Sequence, residues 1–160
     1  MSTAADGNLG QQPMRSGPFR RVLVAWDGSA DSIAALRTAA AIVGSNVGHV
    51  VALAVLAAAP QREADRDGPA EISAQARRAE ATFDTTRAVI AQTTSARVDL
   101  HIVESRRSAA AVCDYAAEHG FDLLVIGRHG DGGLIHPKLG HVAETAARSC
   151  TIPVLLVSAS

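Results

Sequence analysis

Three glycines carry the clearest chemical signal in this chain. Gly127 and Gly130 are separated by two residues, and Gly140 follows after nine more. Glycine lets a backbone approach a polyphosphate closely and adopt positive φ, so that successive N–H groups can cradle oxygens. A helix opening just beyond such a loop adds unpaired N–H groups and a partial positive charge. The run Gly127-Arg128-His129-Gly130-Asp131-Gly132-Gly133-Leu134-Ile135-His136-Pro137-Lys138-Leu139-Gly140 therefore reads as a phosphate loop, against the plainer alternative of a surface loop with turn glycines. Arg128 and Lys138 bring positive charge to it, while Asp131 opposes them. His129, His136 and His141 lie in or beside the run. Three imidazoles can bind zinc, but no carboxylate or cysteine falls at a ligand spacing, so no metal site is expected. Histidine titrates near neutrality, which makes the run a pH-sensitive loop whose protonation favours anions.

The elements that must position this loop alternate between strand and helix periods from residue 21 onward. Arg21–Trp26 is a short apolar, β-branched run that stops at Asp27-Gly28-Ser29, a turn signal and helix N-cap. Ala30–Val43 has helical spacing, with Ile33, Leu36, Ala40 and Val43 on one stripe and Gly44 as its stop. Val50–Leu56 reads as a second strand. Pro60–Pro69 is a charged, breaker-rich loop. Ile72, Ala76, Ala79, Phe83 and Ile90 then keep helical spacing to about residue 92. Arg97–Glu104 alternates, with Val98, Leu100 and Ile102 on one face and Arg97, Asp99 and His101 on the other. A third helix runs from about Ser108 to His119 and ends at Gly120, with Arg106 and Arg107 a solvated face at its start. Leu123–Ile126 is a fourth, wholly apolar strand. A helix over Gly140–Ser149 and a strand over Ile152–Val157 complete the chain.

Such alternation calls for an α/β fold, a parallel sheet with helices on both faces. The first and fourth strands are apolar throughout, as central strands are, whereas the third alternates as an edge strand can. Right-handed crossovers then favour the order 3-2-1-4-5 in a doubly wound, three-layer sandwich. Ligands of open α/β sheets sit beyond the carboxyl ends of the strands where the winding reverses. Here those ends are Asp27 and Gly127.

At this point the chain resembles the universal stress proteins that bind ATP. The spacing Gly127-x-x-Gly130, nine residues, Gly140 matches their signature. Val24-Ala25-Trp26-Asp27-Gly28-Ser29 resembles their first strand and turn. Asp122-Leu123-Leu124-Val125-Ile126-Gly127 and Ile152-Pro153-Val154-Leu155-Leu156-Val157 resemble their fourth and fifth strands. The resemblance covers about residues 20 to 158. It implies an adenine nucleotide alpha hydrolase-like fold of five strands, a cytoplasmic stress-linked regulator and a homodimer. It also implies an adenosine near Asp27 and Val55, and phosphates along Gly127, Arg128, Gly130, Gly140, His141 and Val142, with Mg²⁺ accompanying ATP. Nucleotide-binding relatives carry Ser or Thr directly after the last glycine and again two residues on; here those positions are His141 and Ala143. Each missing hydroxyl is worth about 1.5–3 kcal/mol against a charged phosphate. Two readings therefore stay open: a regulator that binds an adenine nucleotide, and a dimeric module that has lost it and acts through an unknown protein partner.

Composition and motif logic remove the other classes. The chain has 160 residues, 48% hydrophobic and 19% charged, enough for one core and wrong for a disordered protein. A formal charge of −1 and 3% aromatics argue against a nucleic-acid partner. Val50–Ala59, the most apolar stretch, is about half the length that spans a bilayer. No Gly-x-Gly-x-x-Gly follows the first strand, and Pro137-Lys138 does not complete a Walker motif. Asp27-Gly28-Ser29-Ala30-Asp31-Ser32 departs at two positions from the loop of ATP pyrophosphatases, and no Ser-His-Asp grouping is evident, so no catalytic residues are expected. Cys113 reads as a core helix residue and Cys150 as a helix end, both reduced thiols. Trp26 is expected in the core rather than against a base. An uncovered apolar edge at Ile152–Val157 invites pairing across a two-fold axis, giving the homodimer. Residues 1–18 read as a flexible extension, with Met14 an alternative start, and 19–160 as the domain.

Overall fold

The structure, a computed structural model, describes residues 18–44, 48–58, 68–130 and 139–160. Met14, most of the 60–69 loop and residues 131–138, with Asp131, His136 and Lys138, lie outside the described residues. The elements are β1 (Arg21–Trp26), α1 (Ala30–Val43), β2 (His49–Ala57), α2 (Gly68–Ile90), β3 (Arg97–Ser105), α3 (Ser108–Glu118), β4 (Leu123–Gly127), α4 (His141–Ser149) and β5 (Val154–Val157). All strand pairs are parallel, in the order β3-β2-β1-β4-β5. The α/β class and strand order read from the sequence are therefore both found.

Two apolar clusters lie on opposite faces of the sheet, because successive strand side chains point to opposite sides. Val22, Val24, Trp26, Val50, Ala52, Ala54, Leu123 and Val125 pack with α1 and with Phe83 and Ile90 of α2. Leu23, Val51, Leu53, Leu124 and Ile126 pack with Val112 and Ala116 of α3 and with Ala143 and Ala146 of α4. The central strands β1 and β4 are buried on both faces, which is why their sequences do not alternate. Trp26 is core, 3% exposed, edge-on to Phe83, with its indole N–H donating to the Ala79 carbonyl.

Several boundaries shift for local reasons. The helix expected from Gly140 begins at His141, with Gly140 as its N-cap. α2 starts at Gly68, so Pro69 sits in the first turn, where its missing N–H has no partner to lose. β5 starts at Val154 rather than Ile152; Pro153 cannot donate to a ladder, though its carbonyl accepts from the Leu124 amide at 2.9 Å. Arg106 and Arg107 are exposed as expected, Arg107 being the N-cap of α3. The reading of Cys113 and Cys150 as reduced thiols is corrected: the two form a disulfide that ties α3 to the end of α4. No described helix is long and apolar enough to cross a membrane.

Candidate functional site

β1 and β4 run side by side, Val22 opposite Leu123 and Val24 opposite Val125, and leave the sheet at the same level. β2 keeps pace, with Trp26 opposite Ala54. Asp27, Val55 and Gly127 therefore emerge together at one edge. Helices returning from each strand begin at that same edge in parallel α/β folds, so the first turns of α1, α3 and α4 surround the opening.

The result is a cavity of about 330 Å³. Its floor is made by strand ends: Ala25, Trp26, Leu53, Val55 and Ile126. One wall comes from Asp27, Ser29 and Ser32, another from Ser108 and Val112 of α3, and the rest from Gly127, His129, Gly130 and Gly140–Ala143. Of the residues expected at a nucleotide, Asp27, Val55, Gly127, Gly130, Gly140, His141 and Val142 are thus brought together. Arg128 is not on the lining; its amide donates to the Val157 carbonyl at 2.7 Å and its carbonyl accepts from the Gly140 amide at 2.9 Å. That second bond closes the loop and sets Gly140 beside Gly130.

The three glycines prove to have different reasons. A Cβ on Gly127 would lie 2.7 Å from Asp31 Cβ, 2.9 Å from the Asp31 carbonyl carbon and 3.0 Å from the Ser32 nitrogen, so close packing against α1 demands glycine there. On Gly130 it would meet, among the described residues, the Asp27 carboxylate at 3.0 Å. On Gly140 the nearest atom is the Arg128 carbonyl oxygen at 3.4 Å, an ordinary contact. Asp27 itself accepts from the Ser29 amide at 2.9 Å, the local turn that the sequence Asp-Gly-Ser encodes.

Sequence reasoning missed Asp31. Its Oδ2 accepts from both the amide and Nδ1–H of His129, at 2.9 and 3.1 Å, and its Oδ1 from the Ala159 amide at 2.7 Å. Burial pushes this carboxyl up, but the bonds from Ala159 and His129 outweigh it and hold the group below the usual carboxylate range. One side chain thereby ties the start of α1, the β4 loop and the C-terminal tail. Ser29, Ser32 and Ser108 were missed as well, although the rule that helices begin at the strand carboxyl edge points to all three.

The helix starts differ electrostatically. Ser29 caps α1, its Oγ accepting from the Ser32 amide at 3.2 Å. α3 and α4 have no side-chain cap. The opening amides of a helix have no acceptor within it, so the first turns of α3 and α4 leave donors at the cavity for an external acceptor. The arrangement suits an anion joined to a flat apolar group.

A family model described as the universal stress protein family matches residues 18–158. The chain belongs to the universal stress protein family. UspA from Lactobacillus plantarum is similar in fold at 20% identity, covering 87% of this chain and 97% of that one, with a TM-score of 0.77. A universal stress protein in complex with cAMP shares 24% identity, with coverage of 89% and 98% and a TM-score of 0.60. One from Archaeoglobus fulgidus in complex with dAMP shares 20%, with coverage of 87% and 97% and a TM-score of 0.60. A comparison with curated protein sequences finds no match. At these identities the structural likeness speaks for the universal stress protein fold.

Proposed function

We propose that this universal stress protein binds an adenine nucleotide, ATP with Mg²⁺, in the cavity at the ends of β1 and β4, and serves as a cytoplasmic stress-linked regulator rather than a catalyst. One observation carries the reading: two uncapped helix starts, α3 and α4, border an apolar floor within a single cavity. The base would rest on Leu53, Val55 and Ile126, and the phosphates would meet the amides of His141, Val142 and Ala143. A volume of about 330 Å³ is at the small end of ligand sites, roughly 300–1,000 Å³, which suits a nucleoside with phosphates reaching outward. Asp27 is the one carboxylate among the described lining residues, and Asp31 is spent on His129 and Ala159. Mg²⁺ would thus be held by the nucleotide's phosphates, which it charge-neutralises, more than by side chains. A bound nucleotide would change the surface shown to a partner.

Calorimetric titration with ATP, AMP and cAMP tests this on the parent and on His141→Ser/Ala143→Ser. Restoring both hydroxyls should tighten phosphate binding by about two to four decades, the equivalent of about 3–6 kcal/mol. A parent that binds no adenine nucleotide beside a double variant that does would favour the second reading, a ligand-free module. The observation on that side is β5, whose outer edge pairs with no described strand and whose Leu156 is 37% exposed. Both readings expect a homodimer through this edge, and a monomer mass in light scattering at micromolar concentration would remove it.

A further inference from the structure

The Cys113–Cys150 disulfide joins the two helices whose first turns wall the cavity. Cys113 directly follows Val112, a lining residue of α3. Cys150 caps the far end of α4, whose opening residues His141, Val142 and Ala143 line the same cavity. The bond closes a 37-residue span that contains β4, Gly127, Gly130, Gly140 and all of α4. Besides the bond, α4 is held by its packing on α3 and by Val142, Ala143 and Ala146 against the core. It is nine residues long, and its buried side chains are two alanines, Ala143 and Ala146, which remove little apolar surface from water. Cys113 and Cys150 are half-buried rather than sealed in the core, and they are the chain's only cysteines, so no internal thiol competes for the exchange.

We infer that Cys113 and Cys150 form a redox site that controls the nucleotide cavity, the disulfide holding α4 docked and the dithiol releasing it. This rests on the nucleotide reading given above. Oxidation proceeds by exchange with an external disulfide. The thiolate of one cysteine attacks it to give a mixed disulfide and release one thiol. The second cysteine, losing its proton, then displaces the other external sulfur. Two protons and two electrons leave the protein, the Cys113–Cys150 bond forms, and the external disulfide ends as two thiols. A dithiol reductant runs the same steps in reverse.

ATP and AMP are titrated against the full chain after oxidation with glutathione disulfide, after reduction with dithiothreitol, and as Cys113→Ala/Cys150→Ala. Intact mass checks the redox state by the loss of two hydrogens. Amide hydrogen exchange over residues 141–149 is followed without nucleotide in the same three samples. The expected result is faster exchange in α4 and about ten-fold weaker nucleotide binding in the reduced and alanine proteins. Linkage then requires bound nucleotide to make the disulfide harder to reduce by the same factor, about 30 mV for two electrons. Equal exchange in α4, or equal affinity in a protein that does bind, overturns the redox control and leaves the nucleotide site standing. No binding in any sample overturns the nucleotide reading and the coupling built on it. The exchange data then report separately whether the bond docks α4.

Discussion

Gly127→Ala separates two explanations of a loop glycine that look identical in sequence. If Gly127 served only to let a phosphate approach, alanine there would weaken ligand binding and leave stability unchanged. The geometry says otherwise. The added methyl would meet Asp31 Cβ at 2.7 Å and two backbone atoms of α1 at 2.9 and 3.0 Å. Backbone in the capped first turn of a helix cannot swing aside as a flexible side-chain end can. The strain must be shared by shifting α1 against β4 or by disturbing Asp31, which holds His129 and Ala159. Overpacking typically destabilises by 1–3 kcal/mol, and a clash against backbone belongs at the top of that range, about 3 kcal/mol. For a domain of this size that corresponds to a Tm lowered by roughly 6–12 °C. Gly140→Ala is the control. Its φ of −62° suits any residue and its nearest contact among the described residues is 3.4 Å, so the loss is confined to the poorer N-cap that Ala makes, about 1 kcal/mol or less. Unfolding is followed by the fluorescence of Trp26, the sole tryptophan and a buried one. A Gly127→Ala protein within about 0.5 kcal/mol of the parent, the spread of a neutral surface change, would refute the packing argument.

Opening the disulfide by Cys113→Ala/Cys150→Ala frees a 37-residue loop in the unfolded chain and should lower stability by about 4 kcal/mol, read as the denaturant midpoint. Burial pushes the carboxyls of Asp31 and Asp99 up, but the bonds from Ala159 and His129 and from His49 and Arg97 respectively outweigh it and hold both below the usual carboxylate range. Their stabilisation is therefore complete at neutral pH and lost as pH falls below about 4, and Asp31→Asn should flatten that acid limb. Burial raises the Tyr115 phenol above its ordinary value, against a smaller pull from Arg21, and as the sole tyrosine its phenolate absorbance should have its midpoint above that of a free tyrosine. Fold stability should fall as pH climbs through that folded pKa; an absorbance midpoint no higher than that of a free tyrosine would contradict the burial. Ser108 lines the cavity, and its hydroxyl has no hydrogen-bond partner among the described residues, so Ser108→Ala should weaken ATP by about five-fold with unchanged Tm.

What could be read in the sequence and what could not divide along the distance over which information acts. Unbroken apolar runs in β1 and β4, against the alternating run in β3, were enough to set the strand order. That order alone put Asp27 beside Gly127. The loop glycines were equally visible as a spacing, yet the spacing could not say that Gly127 answers to α1 and Gly140 to the loop closure, because a missing Cβ carries no mark of its neighbour. Asp31 was legible only as an acid in a first turn; its partners lie 98 and 128 residues away. The two cysteines were hidden for the same reason. A 37-residue separation obeys no local period, and only the packing of α3 on α4 brings them within bonding reach. Ser108 is the instructive omission. The start of α3 was placed correctly, and in an all-parallel sheet each connecting helix begins at the strand carboxyl edge, so its hydroxyl was findable by geometry. Much of the cavity's polar lining thus comes from helix starts dispersed along the chain, and a change at one of them alters the cavity while leaving the glycine signature intact.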